Sequence, residues 1–276
     1  MKVSGPKTID TLVNDIYNLV NTGKKNPDKE ALFALGSAVM EAVRRQLWMA
    51  TSEAPGRLRM SNIGKPCSRQ LWYDVNGDDK AEELSPQTRL KFMIGDIVEA
   101  FLIYLSKEAG HSVTQQQAEI ELSGIKGHID CVIDDELVDI KSASAFAMKK
   151  FKNGTLPDDD PFGYISQISG YGNALGKKRG TFLAFDKSSG ELATYTHAQL
   201  ENTELKIAQV KADVGSKTPP DRRFETVKDR QTGRDKLGVN CSYCSHKETC
   251  WEDLDLKFRS GRPVFFVGES ENAHSF

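Results

Sequence analysis

The stretch GHIDCVIDDELVDIKS, residues 127–142, limits what this chain can fold into more than any other. Apolar and polar residues alternate through both halves, the period of strands with one face turned to a core. If Asp134 and Asp135 form a two-residue hairpin loop, Ile133 pairs with Glu136, and counting back sets Asp130 opposite Asp139. A loop two residues longer sets Asp130 opposite Lys141 instead. In either register Asp139 and Lys141 share a face and Ile140 points to the other, so acids and a lysine converge.

Like charges facing each other across a ladder destabilise it by up to about 1 kcal/mol unless a cation lies between them. Hard oxygen ligands favour Mg²⁺ or Mn²⁺, and such an ion suits phosphodiester hydrolysis. A solvated hairpin with acids at its tip fits the same residues equally well. Two further features bear on the choice. Glu99 lies in GDIVE, an apolar stretch where burying an unpaired carboxylate is costly and a metal would explain it. Gln167 and Tyr171 are spaced to project from one helix face. Around them Gly163, Gly170, Gly172 and Gly176 admit the close approach of another backbone, that of DNA included, or else tight packing of helix on sheet.

The period is helical before this region. Helices are expected over 8–22 and 27–50, the second with Asn26 as N-cap and Pro27 at its first position. Leu32, Leu35, Val39, Ala42, Val43 and Leu47 form a stripe that must pack on something, and Arg44 and Arg45 lie beside it. That helix either covers an active-site groove or packs on the core. A short helix is expected from Cys67, an acidic loop over 76–86, and a long helix over 87–109 ended by Gly110. The period then changes to 2, and residues 111–144 are expected to form an antiparallel meander. A glycine-rich helix over 161–176, a strand pair around KSSG, a charged helix over 198–214 and a polar connector complete the pattern.

CSYCSHKETCW, residues 241–251, carries Cys241, Cys244 and Cys250. Thiolate-held metals usually take four ligands. His246, Cys131 and Cys67 are the candidates for the fourth. His246 makes a C-x-H step too short for the usual spacing and is expected to be exposed. Cys131 alternates away from Asp130 and is expected to pack in the core. Bunched cysteines without a secretory signal argue for a reducing, cytoplasmic setting. The charged residues, 28% of the 276, cancel to a net charge of -2, so any polyanion must meet local patches and not an overall basic field. No segment reaches the roughly 18–20 apolar residues that span a bilayer, so no membrane partner is expected.

In order along the chain, G-x-x-x-E (Gly95–Glu99), G-x-x-D (Gly127–Asp130), D-x-K (Asp139–Lys141) and Q-x-x-x-Y (Gln167–Tyr171) resemble the motifs of the RecB-type PD-(D/E)XK nucleases. With CSRQLWY and CSYCSHKETC flanking them, the chain is similar to the iron-sulfur branch of that family, which includes the AddB nuclease domain, the CRISPR-adaptation exonuclease and related phage exonucleases. The resemblance covers about residues 60–256. It implies an α/β fold, a restriction-endonuclease-like core with a central mixed sheet flanked by helices. A helical attachment over 1–57, a nuclease core over 58–258 closed by a metal-cluster segment, and a tail over 259–276 are then expected.

By the same resemblance, Asp130, Asp139, the Ile140 carbonyl and Glu99 bind Mg²⁺ or Mn²⁺, with Lys141 beside the attacking water. Gln167 and Tyr171 contact DNA or steady the site. Many relatives carry histidine where Glu99 stands, and glutamate keeps the site all-oxygen. Cys67 becomes the fourth ligand of a 4Fe-4S cluster with Cys241, Cys244 and Cys250. The implied activity is a DNA exonuclease acting on single strands or DNA ends; a structure-specific endonuclease and a catalytically silent DNA-end-binding module are the alternatives. Lys65, Arg69, Lys149, Lys150, Lys177, Lys178 and Arg179 are candidate phosphate contacts, although runs this short are commonly just solvated faces.

Overall fold

The computed structural model of the protein describes residues 6–48, 56–77 and 85–268. In chain order the helices are α1 (Leu12–Thr22), α2 (Lys29–Leu47), α3 (Ser68–Asn76), α4 (Pro86–Glu108), α5 (Ala145–Asn153), α6 (Tyr164–Ala174), α7 (Thr203–Val214), α8 (Val239–Ser242) and α9 (Lys247–Cys250). The strands are β1 (Val113–Thr114), β2 (Glu119–Leu122), β3 (Ile125–His128), β4 (Cys131–Ile133), β5 (Glu136–Ala143), β6 (Gly180–Asp186), β7 (Leu192–His197), β8 (Val227–Lys228), β9 (Asp235–Lys236), β10 (Leu254–Arg259) and β11 (Arg262–Val267). Two compact units emerge: Met1–Ala54 with Arg59–Gly64 and Ser85–Ile207, and Pro55–Leu58 with Lys65–Leu84 and Ala208–Phe276.

The first unit is built on a five-stranded sheet of order β1-β4-β5-β6-β7. Only β5 and β6 run parallel, and α5 and α6 supply the crossover that a parallel pair requires. The sheet is therefore mixed, with helices on both faces. On one face Leu12 and Ile16 of α1 and Val98, Leu102 and Leu105 of α4 pack on Cys131, Val138, Ile140 and Leu183. On the other, Phe182 meets the rings of Phe151, Tyr164 and Tyr195. The expected meander divides in two: β2 and β3 form a separate two-stranded sheet, while β1 pairs with β4. Left-handed backbone at Gln115 and Gln117 turns the chain out of the main sheet between β1 and β2.

The N-terminal helices belong to this unit, and α1 supplies part of its core. The N-cap of α2 is Asp28, not Asn26, because its Oδ1 accepts the Glu30 and Ala31 amides at 2.9 and 3.1 Å. The expected stripe packs only in part: Ala42 is buried, but Leu32 and Leu47 are exposed. Helix α2 is fastened along α4 at both ends. Glu108 accepts the Asp28 amide at 2.7 Å, and Arg45 pairs with Asp96 at 3.1 Å.

The second unit holds a small sheet of order β10-β11-β9-β8. Leu237, Trp251 and Phe265 form its core, with Cys241 and Cys250 packed against them. Residues expected to be a tail instead form β11, paired with β10 from Leu254↔Val267 to Arg259↔Arg262. Residues 78–84 of the expected acidic loop and 269–276 lie outside the described residues. Among the described residues no helix is long and apolar enough to cross a membrane.

Candidate active site

Asp134 and Asp135 both adopt positive φ, 48° and 65°, and close a two-residue hairpin. The register is Ile133↔Glu136, Val132↔Leu137, Cys131↔Val138, the shorter-loop alternative. Asp130 therefore stands just before β4, opposite Asp139, where the ladder has ended. Its carboxylate reaches across, and Oδ2 accepts the Ile140 amide at 2.6 Å. Gly127, which opens this motif, has a physical reason to be glycine: an added Cβ would lie 2.6 Å from Met60 Cβ and 3.0 Å from Tyr171 Cε1.

Asp139 is 1% exposed. Lys141 Nζ lies 2.6 Å from its Oδ2, while its Oδ1 is buried without a hydrogen-bond partner. Burial opposes the charge on Lys141, but the Asp139 and Asp130 carboxylates outweigh it and hold the ammonium protonated. Glu99 enters from α4, and the Gln117 side-chain amide donates to its Oε1 at 2.5 Å. Burial, followed by Asp139 and Glu99, pushes the Asp130 carboxyl well above its ordinary value. Glu99 is raised too, chiefly by burial and also by Asp96 and Asp139.

From α6, Gln167 Oε1 accepts from Lys141 Nζ at 3.4 Å, and its amide donates to the Tyr171 hydroxyl at 3.0 Å. Asp139, Lys141, Gln167 and Tyr171 are thus joined in one series. Two contributors were absent from the sequence reading. Tyr164 sets its ring 4.7 Å below Lys141 Nζ, and its place three residues before Gln167 on the same helix face was a usable signal. Gln117 carried none, since it reaches Glu99 only through an irregular turn. On the α4 side, a cleft of about 310 Å³ contains Glu99 and Gln117 and is walled by Ala31, Ala38 and Arg45 of α2. Helix α2 accordingly both packs on α4 and edges the site.

The glycines of α6 serve packing within the protein. An added Cβ would meet Met60 Sδ at 2.3 Å from Gly170 and Leu200 Cδ1 at 2.2 Å from Gly172. Several candidate phosphate contacts are also engaged internally. Lys177 donates to the Asp135 carbonyl at 2.8 Å and Arg179 pairs with Glu136 at 2.8 Å, at the hairpin turn and not beside Lys141. Lys150 pairs with Asp159 at 2.6 Å, whereas Lys149 and Lys178 are exposed. In the second unit Lys65 pairs with Asp74 at 2.9 Å, and Arg69 donates to the Pro220 carbonyl at 2.7 Å.

None of the five cysteines is in a disulfide, and Cys131 is fully buried in the core as expected. Cys67 precedes α3, where the Cys244 thiol feels it together with Cys241 and Cys250. Burial first, then these neighbours, push Cys244 up to about 11. His246 is 5% exposed, contrary to expectation. Its Nε2 lies 2.8 Å from Asp74 Oδ1 and its ring 5.4 Å from that of Tyr73, so it ties the cysteine loop to α3. Among the described residues no three His, Cys, Asp or Glu side chains are closed around a point that would hold a metal. At the acid cluster the Lys141 ammonium, the Gln117 amide and the Ile140 N–H take the carboxylates instead. The unpartnered, buried Asp139 Oδ1 and the destabilised Asp130 carboxylate nevertheless suit a hard divalent cation in donor chemistry. The thiols of Cys67, Cys241 and Cys250 come near enough to influence Cys244, and thiolates as donors suit a soft metal or cluster.

No family model matches the chain, and no curated protein matches it. Among solved structures, SSO0001 is similar over 81% of this chain and 96% of its own, with 15% identity and a TM-score of 0.41. An alkaline exonuclease from Laribacter hongkongensis, LHK-Exo, is similar over 55% of this chain and 91% of its own, with 16% identity and a TM-score of 0.31. A phage-related exonuclease from Haemophilus somnus covers 76% of this chain and 85% of its own, with 15% identity and a TM-score of 0.30. Likenesses this distant leave the chemistry to rest on the residues themselves.

Proposed function

We propose that the chain is a divalent-metal-dependent deoxyribonuclease of the RecB-type PD-(D/E)XK kind, acting as an exonuclease on single-stranded DNA or DNA ends. The observation that carries this reading is the convergence of Glu99, Asp130 and Asp139 on a buried, charged lysine. A buried carboxyl such as that of Asp130, whose proton affinity burial and the neighbouring acids raise, is costly to a fold unless a cation is to be received.

Asp130, Asp139 and Glu99, with the Ile140 carbonyl, would hold Mg²⁺ or Mn²⁺. Such an ion supplies Lewis acidity at the phosphoryl oxygen and a water of lowered pKa. Lys141 contributes a fixed positive charge next to the nucleophile or the phosphate. Gln167 limits where that ammonium can swing, and Tyr171 fixes Gln167 in turn. Gln117 orients Glu99. Cys67, Cys241, Cys244 and Cys250 would hold a 4Fe-4S cluster that closes the second unit around α3, in a reducing, cytoplasmic setting.

The test is a labelled linear single strand incubated with Mg²⁺ or Mn²⁺ alongside a circular single strand. Loss of the linear strand alone supports the exonuclease. Opening of the circle points to an endonuclease, and survival of both leaves a DNA-end-binding module.

A further inference from the structure

Two large aromatic rings stand in solvent, one on α5 and one on the loop before α6: Phe146 is 70% exposed and Phe162 is 61% exposed. Burying such a ring is favourable, a gain that neither residue takes from the core. Phe162 is connected to the acid and lysine cluster through consecutive contacts. Its ring centroid is 5.5 Å from that of Tyr164, with the planes 31° apart, and Tyr164 in turn lies under Lys141.

The backbone that carries Phe162 is held firmly. Gly163 adopts φ +74°, and an added Cβ there would lie 2.1 Å from the Gly64 carbonyl oxygen, so the two loops touch backbone to backbone. Asp160 Oδ2 accepts the Ile165 amide at 2.8 Å and closes the turn around Pro161 and Phe162. Phe146 belongs to the same surface. Lys150 Nζ is 5.1 Å from the Phe146 ring and donates to the Asp159 carbonyl at 2.8 Å, which joins α5 to the loop that carries Phe162.

We propose that Phe162 and Phe146 are a stacking platform for unpaired nucleobases of a strand whose phosphate lies at Asp139 and Lys141. The proposal rests on the nuclease reading and supplies its preference for single strands. Exposed aromatic faces with the Lys141 ammonium over Tyr164 and the exposed Lys149 one turn along α5 from Phe146 match a ligand of alternating ring and phosphate, while Lys150, paired with Asp159, serves to hold the loop. A duplex keeps its base faces stacked on one another, so only an unpaired strand or a frayed end can use these rings.

The experiment measures the Kd of a fluorescein-labelled oligothymidylate in EDTA, which prevents cleavage, with a blunt duplex of equal length in parallel. Phe162→Ala should weaken single-strand binding about five- to hundredfold, the equivalent of roughly 1–3 kcal/mol for one stacked base. Phe162→Trp should restore it, Phe162→Leu should not, and duplex binding should stay unchanged. Phe146→Ala should weaken it in the same direction. Unchanged single-strand binding by Phe162→Ala, restoration by leucine as fully as by tryptophan, or an equal loss on duplex would overturn the platform, as would wild-type protein that does not bind the oligonucleotide. Wild-type protein that binds in this pattern yet cleaves no DNA with Mg²⁺ or Mn²⁺ would overturn the nuclease reading and leave the platform standing.

Discussion

Lys141 Nζ lies 2.6 Å from Asp139 Oδ2 on one face of β5, with the two side chains 17% and 1% exposed. A pair so far from water is held by mutual need. Lys141→Met leaves a buried carboxylate without its counter-charge and should lower stability by about 3–5 kcal/mol in metal-free urea unfolding. Adding Asp139→Asn to that variant should recover part of the loss, because the orphaned charge is gone.

Asp130 gives a pH dependence with a definite sign. Burial, then Asp139 and Glu99, raise its folded pKa, so the folded chain keeps a proton that the unfolded chain loses above about pH 4. Metal-free stability should therefore fall as pH rises from the ordinary carboxylate range through the raised folded value. Asp130→Asn should flatten that slope and raise the Tm near pH 8, which scanning calorimetry at several pH values would measure. Mn²⁺ should raise the wild-type Tm and leave that of Asp130→Asn unmoved.

Gly127→Ala should cost about 1–3 kcal/mol by overpacking, since the new methyl group meets Met60 and Tyr171. Because Tyr171 holds Gln167, DNA cleavage should fall further than the loss of folded protein explains. Denaturant midpoints and rates per folded molecule separate the two effects.

What the sequence disclosed was chiefly local. The sequence narrowed the hairpin to two registers, of which the left-handed backbone at Asp134 and Asp135 takes the shorter-loop one, and helix spacing set Gln167 and Tyr171 on one face, where they hydrogen-bond. What it hid was long-range. His246 is buried because its partner Asp74 stands 172 residues away, and no spacing rule reaches that far. The ion pairs of Lys150 with Asp159 and Arg179 with Glu136 withdrew cations that a linear reading had assigned to DNA. Strand β11 was missed because its six residues show no clear alternation, and its pairing with β10 decides it.

The cysteines make a separate prediction. Protein purified without oxygen should be brown and contain about four irons per chain, and Cys67→Ser should lose the colour together with stability in the second unit. Colourless protein holding one zinc would replace the cluster with a structural zinc site.

The most direct measurement of the central claim is degradation of an end-labelled single-stranded oligonucleotide by matched preparations of wild type and Asp139→Asn, with Mg²⁺, Mn²⁺ or EDTA. Wild type should degrade the strand only with metal, and Asp139→Asn should be slower by at least about a thousandfold, as expected when a metal ligand that shapes the transition state is lost. Equal degradation by both proteins, or undiminished degradation in EDTA, would contradict the assignment of Asp139 and its neighbours as a metal-dependent nuclease site.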